Sequence, residues 1–144
     1  MTSELHCRKL ERMYNSAPCN AYYSPTLKIS NGQAEIIIPV QDKFFHAAGA
    51  THGSVYFKAM DDAAFFAVNS LVTDVFVLTV SFHIHLLRPV SSGKIRGIGK
   101  AFFKSKQLFG GEASLFDDKD REIARGSGTF ARSKVKLTDE IGYI

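Results

Sequence analysis

Apolar and polar residues alternate cleanly along FVLTVSFHIHLL, residues 76–87, which is the pattern of a β-strand with one face in the core. The apolar face of this strand would carry Leu78, Val80, Phe82, Ile84 and Leu86. The other face would carry Thr79, Ser81, His83 and His85. Just before it, in residues 53–70, apolar side chains cover most of a helical circumference, so we predict a long buried helix there.

Turn-forming residues divide the rest of the chain into five further strands and one short helix. Asn31-Gly32 is a strong hairpin signal between two strand-like runs. After the alternating strand, further strands are predicted at 94–106, 112–116 and 122–132, with turns at 109–111 and 117–120. Residues 3–14 predict a short helix that Pro18 ends. The expected apolar side of that helix carries Leu5, Leu10, Met13 and Tyr14.

This order of elements predicts an α+β fold, with one long helix laid against an antiparallel sheet. The sheet could curve around the helix, and bends are expected where glycines interrupt the predicted strands, at Gly97, Gly99, Gly126 and Gly128. At 144 residues the chain is long enough for one domain with a core and hardly for two. We therefore expect one domain over 1–144, with an N-terminal helical segment at 1–18 and a C-terminal tail at 134–144.

Composition and charge exclude some classes of partner. The net charge of +4 is modest and no dense basic stripe occurs, so a nucleic-acid partner is not expected. The most apolar region, 63–82, is interrupted by polar residues and changes its periodicity halfway, so no membrane span or membrane partner is expected. Cys7 and Cys19 are the only cysteines, and the N-terminus is charged without an apolar core. Both features favour a location of the protein in the reducing cytoplasm.

The stretch THGSVYFKAMDD, residues 51–62, carries the most informative motif. A His-Gly pair opens the long helix, and Asp61 follows nine positions after His52 in its apolar middle. Asn69-Ser70 closes the helix, an Arg-Pro turn follows the next strand, and IARG with GTF marks the last strand. In this order and spacing the chain resembles the hotdog-fold thioesterases, in particular the phenylacetate-pathway type of acyl-CoA thioesterase, over roughly residues 20–131.

The resemblance implies a curved antiparallel sheet wrapped around one long central helix. It also implies an acyl-CoA substrate, no metal or organic cofactor, and homodimers that often pair into dimers of dimers. Two positions depart from the family pattern. Ser54 stands where the motif has a second glycine, and His46 stands where the family commonly has an asparagine six residues before the motif's histidine.

Thioester hydrolysis needs a donor that stabilises the oxyanion and a carboxylate that activates water or attacks directly. The start of a buried helix offers free N–H groups and a dipole that favours negative charge. We expect the Gly53 N–H to be the main donor, with the Ser54 N–H as a second one. Asp61 would be the base or nucleophile. His52 would orient the helix entry, and His46 would either line the site or sit on a mobile loop.

The spacing of these groups predicts a site shared by two chains. Nine positions along a helix span about 13 Å, so Asp61 cannot reach a carbonyl held at its own helix start. Two antiparallel helices in a two-fold dimer would bring Asp61 of one chain to Gly53 of the other. The family resemblance implies the same arrangement.

The polar residues near Asp61 in the sequence and on the next strand have different expected roles. Adjacent helical residues point roughly 100° apart, so only one of Asp61 and Asp62 can face a partner's helix start. The resemblance selects Asp61, and Asp62 would bond to a strand backbone or to solvent. Thr79 matches a position where some relatives hold a hydroxyl near the attacking water. His83 and His85 project together, but no third metal ligand is evident.

Basic residues in the second half of the chain suit a phosphate-bearing ligand. Phosphates of coenzyme A could meet Lys104, Lys106, Arg125, Arg132 and Lys134 near the rim of a site between subunits. Each of them also fits an ordinary solvated face.

Two other functions stay open at this point. The protein could be a non-catalytic module that binds acyl-CoA or an acyl carrier, with Ser54 and His46 marking a changed site. It could also be a dehydratase on the same fold, although Asp42 and His46 match the catalytic Asp and His pair of that branch poorly.

Overall fold

The computed structural model describes all 144 residues, which form two α-helices and six β-strands with short 3₁₀ turns between them. The elements follow in the order α1 (Ser3–Ser16), β1 (Thr26–Ser30), β2 (Gln33–Pro39), α2 (Gly53–Asn69), β3 (Val75–Leu86), β4 (Lys94–Lys104), β5 (Leu108–Phe116) and β6 (Glu122–Lys136). All strand pairs are antiparallel, in the spatial order β1-β2-β4-β5-β6-β3. The predicted α+β order is confirmed. Neither helix has the length and hydropathy that crossing a membrane requires.

Helix α2 packs across the sheet and forms the centre of a core of 32 buried residues. It contacts every strand of the sheet. The helix is buried on all sides except one stripe, as its apolar circumference predicts. The residues of this stripe, which are exposed or half-buried and follow the i, i+3, i+4 spacing of one helix face, are Gly53, Ser54, Phe57, Lys58 and Asp61.

The strand glycines allow close packing, and none of the register shifts of the sheet coincides with them. A Cβ atom at Gly99 would lie 2.2 Å from the backbone carbonyl carbon of Ala63 in α2. At Gly126 and Gly128 a Cβ atom would lie 2.6 Å from a carbonyl oxygen of β3. The shifts of strand register occur elsewhere, for example between Thr79 and Ser81. Glycine is therefore required where backbone meets backbone.

Strand β3 contains a bulge that its clean alternation does not predict. Its register against β6 shifts between Thr79 and Ser81. The extra residue reverses which side chains face the helix, so Thr79 points toward α2 although the sequence placed it on the outer face. Leu78 and Val80, assigned to the core face, are instead 50% and 62% exposed, whereas Phe82 and Ile84 beyond the bulge pack on the core as expected. Leu86 is 52% exposed although it lies on the helix side, beside Gly53.

Other differences from the sequence prediction concern the ends of the elements. Residues 109–111 lie inside β5 and not in a turn. Gly111 packs against α2 there, since a Cβ atom on it would come 3.1 Å from the helix backbone. The 134–144 segment is structured: β6 continues to Lys136, and the Tyr143 hydroxyl lies 2.7 Å from His6 Nδ1 in α1. Leu5, expected on the apolar side of α1, is 44% exposed.

We expect Gly99→Ala to lower the free energy of unfolding by about 2 kcal/mol or more, because the new Cβ atom would push α2 away from the sheet. Gly110→Ala is the matched control. Its Cβ atom would meet the ring of the exposed Phe102 at 2.8 Å, and that ring can rotate away. Urea unfolding of both variants at equal protein concentration measures the difference. Equal losses of stability would contradict this role of Gly99.

Candidate active site

The start of α2 is organised by His52. This residue is the N-cap of the helix, and its Nδ1 accepts a hydrogen bond from the Ser54 N–H at 3.0 Å. The Ser54 hydroxyl lies 2.8 Å from the same nitrogen. The cap engages the Ser54 N–H, the second of the two expected oxyanion donors. The Gly53 N–H makes no hydrogen bond within the chain, so it is the free donor at the helix start.

A cleft of about 310 Å³ opens at this free donor. The Tyr56 hydroxyl donates to the Arg88 carbonyl at 2.6 Å and ties the loop after β3 to the helix. His46 lines the same cleft with an exposed side chain, and its Nδ1 accepts a hydrogen bond from the Ala48 N–H at 3.1 Å. The fold therefore brings His46 and Gly53, which the sequence singled out separately, to one place.

Asp61 lies in the exposed stripe of α2, two turns beyond Gly53. The Thr79 hydroxyl donates to its Oδ1 at 2.8 Å, while Oδ2 makes no hydrogen bond. Burial raises the pKa of Asp61 to about 6, the Thr79 hydrogen bond opposes that rise, and the charge of Asp62 adds to it. Asp61 is thus a half-buried carboxylate with one oxygen held and one oxygen free.

Asp62 is the more buried of the two adjacent carboxylates, and its bonds lie within the chain. The Tyr14 hydroxyl donates to its Oδ2 at 2.5 Å, and Lys58 Nζ lies 2.8 Å from the same oxygen. Burial raises its pKa, and the Lys58 ammonium opposes the rise. The expectation that Asp62 bonds to a strand backbone or to solvent is wrong, because α1 covers this side of α2 and supplies a tyrosine.

The basic residues expected to bind coenzyme A do not form one cluster within the chain. Arg125 lies opposite His85 of β3 in the sheet register, near the start of α2. Its guanidinium donates a hydrogen bond to Glu122. Arg132 lies toward the opposite end of β6, with Nη2 2.5 Å from Asp74 Oδ2. Lys104 and Lys106 stand at the β4–β5 turn, exposed and without an ion pair. Lys134 is likewise exposed and without an ion pair, so two of the five side chains are neutralised by carboxylates.

His83 and His85 lie on the outer face of β3, with ring centroids 4.9 Å apart. Glu112 and Glu122 line the same shallow depression. Nowhere in the chain do three or more His, Cys, Asp or Glu side chains come together in a way that could hold a metal ion. The two histidines lie away from Asp61. Asp61 is on the opposite side of the sheet, where α2 packs and where the Thr79 side chain points.

Comparison with known families decides the class of this protein. The sequence model of the thioesterase superfamily matches residues 48–124, just over half of the chain. The chain belongs to the thioesterase superfamily. The match contains the Gly53 helix start, Asp61 and Thr79, whereas His46 lies just outside it.

Solved structures of the thioesterase superfamily share its fold. The E. coli PaaI protein, from the phenylacetic acid degradation operon, has a TM-score of 0.86 at 18% identity and covers 96% of this chain and 100% of its own. A thioesterase of Haemophilus influenzae has a TM-score of 0.76 at 15% identity over 83% of this chain and 85% of its own. These likenesses confirm the hotdog fold, in which a curved antiparallel sheet wraps one long helix.

A curated relative adds to the sequence comparison. A protein of Saccharolobus solfataricus that is named as an esterase is 25% identical over 103 residues, which are 72% of this chain and 69% of that protein. Together with membership in the superfamily, this relative supports a hydrolase activity.

We expect Thr79→Val to raise the pKa of Asp61 above its wild-type value, because the lost hydrogen bond stabilises the charged form. A ¹³C NMR titration of aspartate-labelled protein measures this pKa, with Asp61→Asn to assign the signal. Ser81→Ala is the control, since it removes an exposed hydroxyl from the same strand. An unchanged Asp61 pKa in Thr79→Val would show that the hydroxyl is not held on the carboxylate.

Proposed function

We propose that the protein hydrolyses acyl-CoA thioesters, with Asp61 as base or nucleophile and the Gly53 N–H of a partner chain as oxyanion donor. One observation carries this proposal. A half-buried carboxylate with a raised pKa and a free oxygen lies on the same exposed stripe of α2 as an unpaired helix-start N–H. A carboxylate and an N–H donor are the two groups that thioester hydrolysis needs.

The geometry at Asp61 suits either role of its carboxylate. Thr79 holds Oδ1 and leaves Oδ2 to accept a proton from water or to attack the carbonyl carbon. In the first case, water adds to the carbonyl carbon, the C–S bond breaks, and the thiolate of coenzyme A takes up the proton. In the second case, the carboxylate adds to the carbonyl carbon and the C–S bond breaks, which releases the thiolate of coenzyme A and leaves an anhydride with Asp61. Water then hydrolyses the anhydride to the free acid, regenerates the Asp61 carboxylate and supplies the proton that the thiolate takes up. Both routes develop negative charge on the carbonyl oxygen, which the Gly53 N–H would stabilise.

The two groups cannot act on one carbonyl within a single chain. Asp61 lies about 13 Å along the helix from the His52 cap. A second copy whose α2 runs antiparallel would place its Gly53 opposite Asp61, and the symmetry would create two equal sites.

The edge of the sheet favours such a partner. Strand β3 is 12 residues long and pairs only with β6, so its outer backbone edge is a template for another strand. Exposed apolar side chains accompany this edge and the adjacent stripe of α2: Phe57, Leu78, Val80, Leu86 and Leu87. Pairing of two β3 edges about a two-fold axis would lay the two α2 helices side by side and cover Phe57, whereas Leu78 and Val80 would lie on the outer face of the joined sheet.

Three further assignments belong to this proposal. Lys104 and Lys106, as free exposed cations, would meet phosphates of coenzyme A, whereas Arg125 and Arg132 would first have to leave their carboxylates. Dimers would pair further into dimers of dimers. A cytoplasmic location is favoured by two free thiols, Cys7 and Cys19.

The test is thiol release from a panel of short, aromatic and long acyl-CoAs. We expect Asp61→Asn to lower turnover by about 10²–10⁴-fold, because the amide can neither accept the proton nor attack. In the wild type, kcat/KM should rise as the pH climbs through about 6, since the carboxylate is the reactive form and burial raises its pKa to about 6.

Gly53→Pro tests the oxyanion donor in the same assay. Proline removes the N–H at the first helical position, where it is well tolerated, and His52 already has the extended backbone that precedes proline. Gly53→Ala is the matched control, because it adds a Cβ atom but keeps the N–H. We expect Gly53→Pro to be about 10²-fold less active than Gly53→Ala. Tight acyl-CoA binding with no turnover by the wild type would instead indicate a binding module.

A further inference from the structure

An apolar cavity of about 230 Å³ lies directly beside Asp61. Helices α1 and α2, strand β3 and the 3₁₀ turn at Pro18–Tyr22 build its wall. Phe65 and Phe66 come from α2, and Phe76 comes from β3. Helix α1 adds Met13 and Tyr14, and Asp61 itself is one of the lining residues. The cavity therefore joins the reactive carboxylate to the N-terminal helix, which the superfamily match over residues 48–124 does not include.

The polar groups around this cavity bond to one another. The Tyr14 hydroxyl and Lys58 Nζ both bond to Asp62, and Lys58 Nζ also donates to Asn20 Oδ1 at 2.6 Å. These groups have no need of a ligand as a partner. The surface that remains for an occupant is aromatic and aliphatic, and it suits an apolar group.

Helix α1 is held as a fixed wall. His6 Nε2 lies 2.9 Å from the Asn69 carbonyl oxygen, and the Ile29 N–H donates to Glu11 Oε2 at 2.7 Å. At the cavity itself, the hydrogen bond from Tyr14 to Asp62 ties α1 to α2. Met13 and Tyr14 are 4% and 3% exposed, so they cannot move aside without displacing α1.

We infer that this cavity receives the acyl group and that Met13 and Tyr14 of α1 limit its size. The inference rests on the proposed function, because Asp61 must lie beside the thioester carbonyl for the acyl group to extend into the cavity. At about 230 Å³ the cavity is smaller than the range of about 300–1,000 Å³ usual for small-molecule sites. It suits a compact acyl group, and a long chain would enter only if α1 moved. Met13, which is unbranched and adaptable, is the specificity-determining residue.

The test compares kcat/KM for compact acyl-CoAs, such as butanoyl-CoA, with kcat/KM for hexadecanoyl-CoA. The wild type should favour the compact substrates. Met13→Ala should shift the ratio toward the long chain by roughly tenfold or more, since it deepens the cavity.

Leu10→Ala is the matched control. Leu10 is a fully buried residue of α1 that does not line the cavity, so its truncation weakens the packing of α1 without enlarging the site. An unchanged ratio in Met13→Ala, or an equal shift in Leu10→Ala, would overturn the inference while leaving the thioesterase proposal intact. If the wild type hydrolyses no thioester, the proposed function fails. Calorimetric affinities of the same variants for the two acyl-CoAs would then decide whether α1 limits acyl size.

Discussion

The fold and the site both depend on how closely helix α2 lies on the sheet. At Gly99 there is no room for even a Cβ atom between the strand and the backbone of Ala63. The sheet and α1 together bury the helix on every side except one stripe. Any group of α2 that acts on a substrate must therefore lie in that stripe, and the stripe contains both Gly53 and Asp61. Tight packing thus restricts where chemistry can occur.

The two adjacent carboxylates of α2 have different surroundings. Asp62 points toward α1 and is bonded to Tyr14 and Lys58. Asp61, rotated by roughly 100° on the helix, meets only Thr79 and keeps one free oxygen. Burial raises the pKa of both, but only Asp61 opens onto the surface that a second chain or a substrate can reach. Asp62 also helps to hold α1 on the cavity wall, because it accepts the hydrogen bond from Tyr14 at that place.

Much of the fold could be predicted from local sequence patterns. The Asn31-Gly32 hairpin and the bounds of α2 follow from turn chemistry and helical periodicity, and both are confirmed. The bulge in β3 could not be predicted, because it depends on register against β6, and it alone turns Thr79 toward Asp61. The Gly110-Gly111 pair favours a turn on sequence grounds, because local sequence does not show that α2 covers Gly111 within β5. The partners of Asp62 were missed for a similar reason, since Tyr14 lies 48 positions away along the chain.

The most direct test of a site shared between two chains is subunit mixing. Asp61→Asn and Gly53→Pro would be refolded together at equal concentrations and assayed for acyl-CoA hydrolysis. A mixed dimer contains one site with both intact groups, so the account predicts that the mixture regains about a quarter of wild-type activity while each variant alone stays inactive. No recovery, in mixtures shown to contain the mixed dimer, would contradict a site built from Asp61 of one chain and Gly53 of the other.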